Sequence, residues 1–188
     1  MSEKIDVFDS VRRGYNDLES SSNDDIADFF GNADSEAMTG HISNVKGMVF
    51  EQQVTSALNE QGLEASIHEA TNHPDTDLSI YLDGEVAAEL QLKATDDVSY
   101  IRETLADNPD IPIIATSEVA AQVDDPMVID SGIENAELTS SVSDALAGEA
   151  SSVSSDAVSE GLAEVVTETA LPISPIGAVA ALLGLPFL

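Results

Sequence analysis

Residues 77–93 read DLSIYLDGEVAAELQLK, a pattern that predicts a β-hairpin. Alternate positions are apolar along 78–82 and again along 88–93, as in strands that present one face to a core. Asp83-Gly84 lies between the two runs and is a strong signal for a two-residue hairpin turn. We therefore predict two antiparallel strands joined at residues 83 and 84.

The second predicted strand carries polar side chains on one face. Alternation places Glu89, Gln91 and Lys93 together, with the two leucines between them on the opposite face. The hairpin brings Asp77, at the start of the first strand, close to this polar face. Lys93 is informative because lysine and arginine together number 6 in the chain, against 36 acidic residues. A carboxylate, an amide and an ammonium group are thus expected in one place.

The composition indicates an acidic domain with a substantial core. Of 188 residues, 43% are apolar, which suits one domain of ordinary size with an appendage. The formal charge of −30 is spread along the chain and favours the surface of a halophilic protein, where molar salt screens repulsion over about 3 Å. A partly disordered acidic protein is the alternative. Because the chain contains no cysteine, disulfides and thiolate metal sites are excluded.

Changes in pattern divide the chain into four predicted regions. These are an N-terminal helical extension (1–35), an α/β core (36–130), a helical hairpin (131–170) and an apolar C-terminal tail (171–188). Within the core we predict a helix to residue 61, a strand at 63–69, the two hairpin strands, a helix at 98–106, a buried strand at 110–116 and a short helix from Ser117. The core order is therefore helix, three strands, helix, strand.

The two ends of the chain bear on where the protein resides. The N-terminus lacks a basic region followed by an apolar stretch, so we expect a cytoplasmic protein, in a halophile or its virus. Residues 169–188 carry no charge, but prolines interrupt them and leave an unbroken helix of about ten residues, short of the ~20 that span a bilayer. The tail is predicted to dock on its own domain or a protein partner. A weak interfacial contact with a membrane is the other interpretation.

Together, these motifs resemble the PD-(D/E)xK, or restriction-endonuclease-like, nuclease superfamily. The matching pieces are a helix with Gly47-Met48-Val49-Phe50-Glu51, a strand opened by Pro74-Asp75-Thr76-Asp77, and a strand that ends in Gln91-Leu92-Lys93. The resemblance covers about residues 40–122, in the family's order of elements. It implies an α/β (α+β) fold with a mixed sheet flanked by helices.

The resemblance also implies roles for particular residues. Asp77 would coordinate Mg²⁺ or Mn²⁺, since such hard cations bind carboxylate, water and phosphate oxygens. Gln91 occupies the second acidic position, which is similar to a subset of these nucleases that includes the Mrr restriction group. Its amide can bind the metal without supplying charge, and Glu89 could supply the missing carboxylate. Lys93 would orient or activate the attacking water, and Glu51 would hold a second metal or a metal-bound water.

The implied function is metal-dependent hydrolysis of DNA phosphodiester bonds, and the sequence leaves a homodimer open. Six basic residues are few for a protein that binds a polyanion, and Arg12-Arg13 is the only basic pair. The alternative is a catalytically inactive, nuclease-like interaction protein whose helices and apolar tail dock on a partner or membrane. In that case Asp77 is a turn or strand-entry residue, Lys93 neutralises Glu89, and Glu51 is a solvated or salt-bridged acid.

Overall fold

The computed structural model describes residues 5–68 and 75–148 and, beyond them, Val179. The helices are α1 (Val7–Gly14), α2 (Asn23–Gly31), α3 (Ser35–Glu60), α4 (Val98–Asp107), α5 (Ser117–Ala120) and α6 (Asn135–Leu146), and a 3-10 turn lies at Asn16–Leu18. The strands are β1 (Glu64–Ile67), β2 (Leu78–Leu82), β3 (Glu85–Lys93), β4 (Ile113–Ala115) and β5 (Val128–Asp130). The predicted order of helix, three strands, helix and strand is therefore found from α3 to β4.

The strands form one mixed sheet in the order β1-β2-β3-β4-β5. β1, β2 and β3 are antiparallel neighbours, whereas β3, β4 and β5 run parallel. Long β3 is central and pairs with an antiparallel strand on one side and a parallel strand on the other. The protein is thus of the mixed α/β class, with a five-stranded sheet flanked by helices.

The predicted hairpin turn is confirmed. Asp83 and Gly84 have φ angles of 53° and 81°, the left-handed conformation that both central residues of this turn need. Aspartate tolerates it better than most side chains, and glycine has no Cβ to clash. A bulge at Ile80 and Tyr81 shifts the register, so that Tyr81 pairs with Val86.

Apolar clusters cover both faces of the sheet near β4. Ile114 belongs to the main core, which also contains Val49, Phe50 and Leu58 of α3. Ile113 and Ala115, which point to the other face, pack with Ile101 of α4 and Val119 of α5. The central strands are therefore buried on both sides here, as is usual where parallel strands pair.

The N-terminal helices share the main core with α3 and α6. Val11 of α1 and Phe30 of α2 are fully buried in the same cluster as Phe50 of α3 and Leu138 of α6. Burying each such side chain stabilises the fold by about 1.5–3 kcal/mol. Residues 5–31 therefore help to hold α3 in position.

Other predictions differ from the structure or fall partly outside it. β5 was not predicted, although its apolar run lies between Pro126 and Gly132, which commonly bound strands. α6 lies within the region of the predicted helical hairpin (131–170), and the part of that region after residue 148 lies outside the described residues. So does the tail at 171–188 apart from Val179, which is helical and buried in the main core. Among the described helices, none has the length and apolar character needed to cross a membrane.

Candidate active site

The β2–β3 ladder ends before β3 does, and this leaves a notch in the sheet. The last pair of the ladder is Leu78 with Leu90, whereas β3 continues to Lys93. On its other side, the final segment of β3 pairs with β4. β2 therefore leaves one edge of residues 91–93 unpaired, and Asp77, which immediately precedes β2, lies at this edge.

Asp77 fills part of the notch with its side chain. Its Oδ2 accepts hydrogen bonds from the Leu92 amide at 2.8 Å and from the Lys93 ammonium at 3.2 Å. Its backbone is also fixed, since its N–H donates to Leu90 at 2.9 Å and its carbonyl accepts from the His68 N–H at 3.0 Å. The predicted proximity of Asp77 to the end of β3 is thus confirmed. Asp77 is also a strand-entry residue, because its carboxylate substitutes for a strand carbonyl.

The Asp77–Lys93 pair retains hydrogen-bonding capacity. The side chains of Asp77 and Lys93 are 31% and 19% exposed. Within the described part of the chain, Oδ1 of Asp77 accepts no hydrogen bond, and Lys93 uses one of the three N–H donors of an ammonium group. An oxygen ligand and cationic donors are therefore available at the same point.

Gln91 is more deeply buried than the polar-face prediction implied. It is 3% exposed and pairs with Ile113, so its side chain lies on the sheet face that α4 and α5 cover. No hydrogen bond of its side chain is found among residues 5–68 and 75–148. An amide at this position avoids the larger penalty of burying an unpaired carboxylate. The burial gives a physical reason for glutamine at the second acidic position.

Glu51, on α3, interacts electrostatically with Asp77 and Lys93. Its Oε2 accepts from Nη2 of Arg13 at 3.2 Å. Burial raises the pKa of the Glu51 carboxyl, and the negative charge of Asp77 raises it further. The positive charges of Arg13 and Lys93 act in the opposite direction without cancelling the increase. Glu51 is therefore close enough to interact with the Asp77–Lys93 pair, as predicted.

Glu89 is not gathered into the same cluster. It is exposed on β3 opposite Ser79 of β2. Residues two apart on a strand are roughly 6.6 Å apart along its axis, so Glu89 lies well before the notch. In the described ranges, no group of three or more histidine, aspartate or glutamate side chains is arranged to hold a metal ion. Asp77, Glu89 and Glu51 consequently do not form a three-acid site.

The remaining donors still suit one hard cation. Mg²⁺ commonly binds one or two carboxylates and completes its octahedron with water and phosphate oxygens. Asp77 offers Oδ1, and a cation between Asp77 and Glu51 would relieve the repulsion that contributes to the raised pKa of Glu51. Gln91 could add a neutral oxygen. The chemistry of the site therefore fits a single Mg²⁺ or Mn²⁺ with a large share of water ligands.

A cleft of about 580 Å³ lies beside Glu51, with Arg13 and His68 among its lining residues. The His68 ring contacts Ser79 Oγ through Nε2 at 2.6 Å and the Thr76 carbonyl through Nδ1 at 3.2 Å. The sequence pattern did not connect either Arg13 or His68 with this site. The Arg12-Arg13 pair was the one available signal, and nothing local indicated which partner it would meet.

Lys46, in contrast, lies away from the notch although it belongs to the predicted core region. Its Nζ donates to Oδ1 of Asn135 at 2.6 Å and so joins α3 to the start of α6. Burial lowers the pKa of Lys46, and the charges of Asp96 and Glu118 oppose that change. Lys46 is therefore a structural cation that fastens two helices.

The structure thus places Asp77 in contact with Lys93, puts Glu51 within range of their charges, buries Gln91 two residues before Lys93, and leaves Glu89 outside this group. The chain matches no family model, no curated protein and no solved structure. Its function must therefore be inferred from the chemistry of its own residues.

Proposed function

We propose that this protein is a metal-dependent nuclease that hydrolyses DNA phosphodiester bonds. The observation that carries the proposal is the 3.2 Å contact between Asp77 Oδ2 and Lys93 Nζ at the open end of the β2–β3 ladder. Glu51 of α3 supports it as a second carboxylate in the same electrostatic environment. The succession from α3 to β4 is also the one expected of a restriction-endonuclease-like core within residues 36–130.

In this proposal the residues at the notch bind the metal and position the phosphate. A bound divalent cation would neutralise phosphate charge and make a coordinated water more acidic. Asp77 and Glu51 would hold that cation, and Gln91 would add an uncharged oxygen donor. Lys93 contacts Asp77 through its Nζ, and it would donate its remaining hydrogen bonds to the attacked phosphate or the incoming water.

In the hydrolysis, the oxygen of water replaces the leaving sugar oxygen at phosphorus. The oxygen of the water forms a new bond to phosphorus, the bond to the leaving sugar oxygen breaks, and the water proton passes to solvent as the leaving oxygen is protonated. The chain supplies fixed charges at the point where negative charge develops, which is the main contribution expected in phosphate chemistry. A notch at a sheet end holds such groups on rigid strands.

A second function has two observations in its favour. Gln91 is neutral and 3% exposed, and Lys93 is already paired with Asp77. Those features would also suit a catalytically inactive nuclease-like protein that binds a protein partner, a membrane through residues 171–188, or a second copy of itself. The cleavage experiment separates this function from the first.

The test is cleavage of linear, circular and branched DNA with Mg²⁺ or Mn²⁺, at about 0.2 M and about 2 M KCl because screening changes over that range. The site variants are Asp77→Asn and Lys93→Gln. Their matched controls are Asp107→Asn and Arg102→Gln on exposed positions of α4. We expect both site variants to lose at least about 100-fold in rate, as when a charge-stabilising group is removed, and both controls to keep it.

Either of two results would contradict the proposal. One is a wild-type protein that cleaves none of these DNA forms in any metal or salt condition. The other is cleavage that survives in Asp77→Asn and Lys93→Gln at the rate of the controls. Circular dichroism of every variant at the same KCl concentrations shows whether the fold is retained.

A further inference from the structure

The two neighbouring arginines at the end of α1 have different contacts. Arg12 donates from Nε to the Ser21 carbonyl at 2.9 Å, from Nη1 to Asp9 at 2.6 Å, and from Nη2 to Oδ1 of Asn23. These bonds tie α1 to the start of α2. Arg12 therefore has a structural role, and its position in the last turn of α1 also complements the helix dipole.

Arg13 makes a single side-chain hydrogen bond within residues 5–68 and 75–148, to Glu51 at 3.2 Å. A guanidinium group has five N–H donors, so most of them remain available. The side chain is 32% exposed, and Arg13 lines the cleft beside Glu51. Arg13 can accept a new anionic partner without giving up a structural contact of the kind that Arg12 makes.

The cleft places Arg13 next to Glu51. Gly14, which also lines the cleft, lies so close to α3 that a Cβ at this position would be 1.8 Å from Sδ of Met48. This close approach sets the end of α1 against the helix that carries Glu51. Glu51 in turn is influenced by the charges of Asp77 and Lys93. Arg13 is thus bonded to Glu51, and His68, which lines the same cleft, donates its backbone N–H to the carbonyl of Asp77 at 3.0 Å.

We propose that Arg13 binds a backbone phosphate of the DNA strand and so holds that strand in the cleft while another phosphate reaches the notch. The inference rests on the proposed function for its ligand. A planar guanidinium group matches the oxygens of a phosphate in a two-point contact, which a lysine cannot reproduce.

The distribution of basic residues supports Arg13 in this role. Lys46 is bonded to Asn135, and Arg12 is occupied by three partners. In molar salt, charges act over only about 3 Å, so direct contacts matter more than the overall charge of −30. A single arginine in a cleft beside the notch can then bind a phosphate that the rest of the surface would repel at low salt.

The experiment measures DNA binding without metal, so that no cleavage occurs. Fluorescein-labelled single-stranded and duplex oligonucleotides are titrated with protein in EDTA, and fluorescence anisotropy is followed from about 0.3 to about 1 M KCl. The variants are Arg13→Gln and Arg13→Lys, with Arg102→Gln as the matched loss of one exposed arginine. Thermal unfolding followed by circular dichroism shows that each variant is folded at every salt concentration.

We expect Arg13→Gln to weaken binding about tenfold, the loss typical of one charge-assisted contact. It should also reduce the slope of log K against log salt by about 0.9 for duplex or about 0.7 for single-stranded DNA. Arg13→Lys should keep the slope, because the charge remains, but bind more weakly than wild type. Arg102→Gln should match wild type in both.

Equal affinity and slope in Arg13→Gln and Arg102→Gln would overturn the inference, and so would a folded wild-type protein that binds neither form of DNA. These results are separate from the cleavage test. Binding of DNA that depends on Arg13, without any cleavage, would contradict the nuclease proposal and support the phosphate site. If the wild-type protein cleaves DNA and Arg13→Gln binds DNA as tightly as wild type, the nuclease proposal would be supported and the role of Arg13 contradicted.

Discussion

Asp77 and Lys93, sixteen residues apart in the chain, meet at 3.2 Å where β2 has ended and β3 continues. The same Asp77 oxygen also accepts the Leu92 amide at 2.8 Å. One carboxylate therefore closes the end of a strand ladder and holds the ammonium group in place. Two properties of Asp77 can therefore be tested separately. Its acceptor oxygen closes the strand ladder, and its negative charge attracts Lys93.

Replacement of Asp77 should show that separation. Asp77→Ala removes the acceptor of the Leu92 amide and should lower the free energy of unfolding by about 1–3 kcal/mol. Asp77→Asn keeps an acceptor oxygen and should lose less stability, while it loses the charge that metal binding needs. Urea denaturation of both variants, with Asp107→Asn as the control, checks the difference. Equal losses for Ala and Asn would mean that the charge, and not the strand-end hydrogen bond, stabilises this region.

Glu51 should make stability depend on pH in a defined direction. Burial, followed by the charge of Asp77, raises the pKa of its carboxyl in the folded state above the unfolded value. Ionised Glu51 therefore disfavours the fold, and its contribution to stability is lost as pH rises through the folded-state pKa. Glu51→Gln should be more stable than wild type at neutral pH, and this advantage should shrink as pH falls to the ordinary glutamate range.

The measurement for Glu51 is urea denaturation from about pH 4 to about pH 8, with the difference between variant and wild type plotted against pH. Glu103→Gln, an exposed position on α4, is the control for removing one negative charge from a strongly acidic chain. A difference that stays constant with pH would show that the Arg13 contact cancels the effect of burial, and a variant that becomes less stable relative to wild type as pH rises would show that the contact outweighs burial.

Gln91→Glu should exchange stability for metal affinity. A carboxylate at a position that is 3% exposed should lower the free energy of unfolding by about 1–3 kcal/mol or more without metal. If Gln91 lies at the metal site, the added charge should make Mg²⁺ raise the melting temperature more in the variant than in wild type. Gln61→Glu, at an exposed position after α3, is the control.

An equal Mg²⁺ effect on Gln91→Glu and wild type would place the metal away from residue 91. A metal-dependent rise in melting temperature that persists in Asp77→Asn would likewise contradict the assigned ligands. Both results come from thermal unfolding and do not depend on catalytic activity.

Salt should stabilise the protein as a whole. With a formal charge of −30, the folded state concentrates repulsion that KCl screens, so the melting temperature should rise from about 0.1 to about 2 M KCl. Sucrose at matched osmolality tests whether exclusion from the protein surface accounts for the change. A melting temperature that responds equally to sucrose and KCl would argue against a halophilic surface.

Several local features were predictable because short-range rules decide them. The turn at Asp83-Gly84 follows from the backbone angles that those two residues accept. The start of α3 follows Asp34, whose carboxylate accepts from two amides of the first helical turn, and α4 begins after Asp97 in the same way. The alternation along β3 and the turn predicted that Asp77 lies near the end of β3, but the register that pairs Leu78 with Leu90 also needs the bulge at Ile80 and Tyr81, which the pattern did not indicate.

The sequence by itself therefore determined the hairpin turn, the helix boundaries and the approach of Asp77 to the end of β3, because each depends on backbone preferences or on one turn. Tertiary structure alone decided that Gln91 is buried, because β4 pairs with its strand while α4 and α5 cover its face of the sheet. It also decided that Arg13 reaches Glu51, 38 residues away, since that contact depends on how α1 packs against α3. Packing between distant segments leaves no periodic signal in either segment, so only the folded chain reveals it.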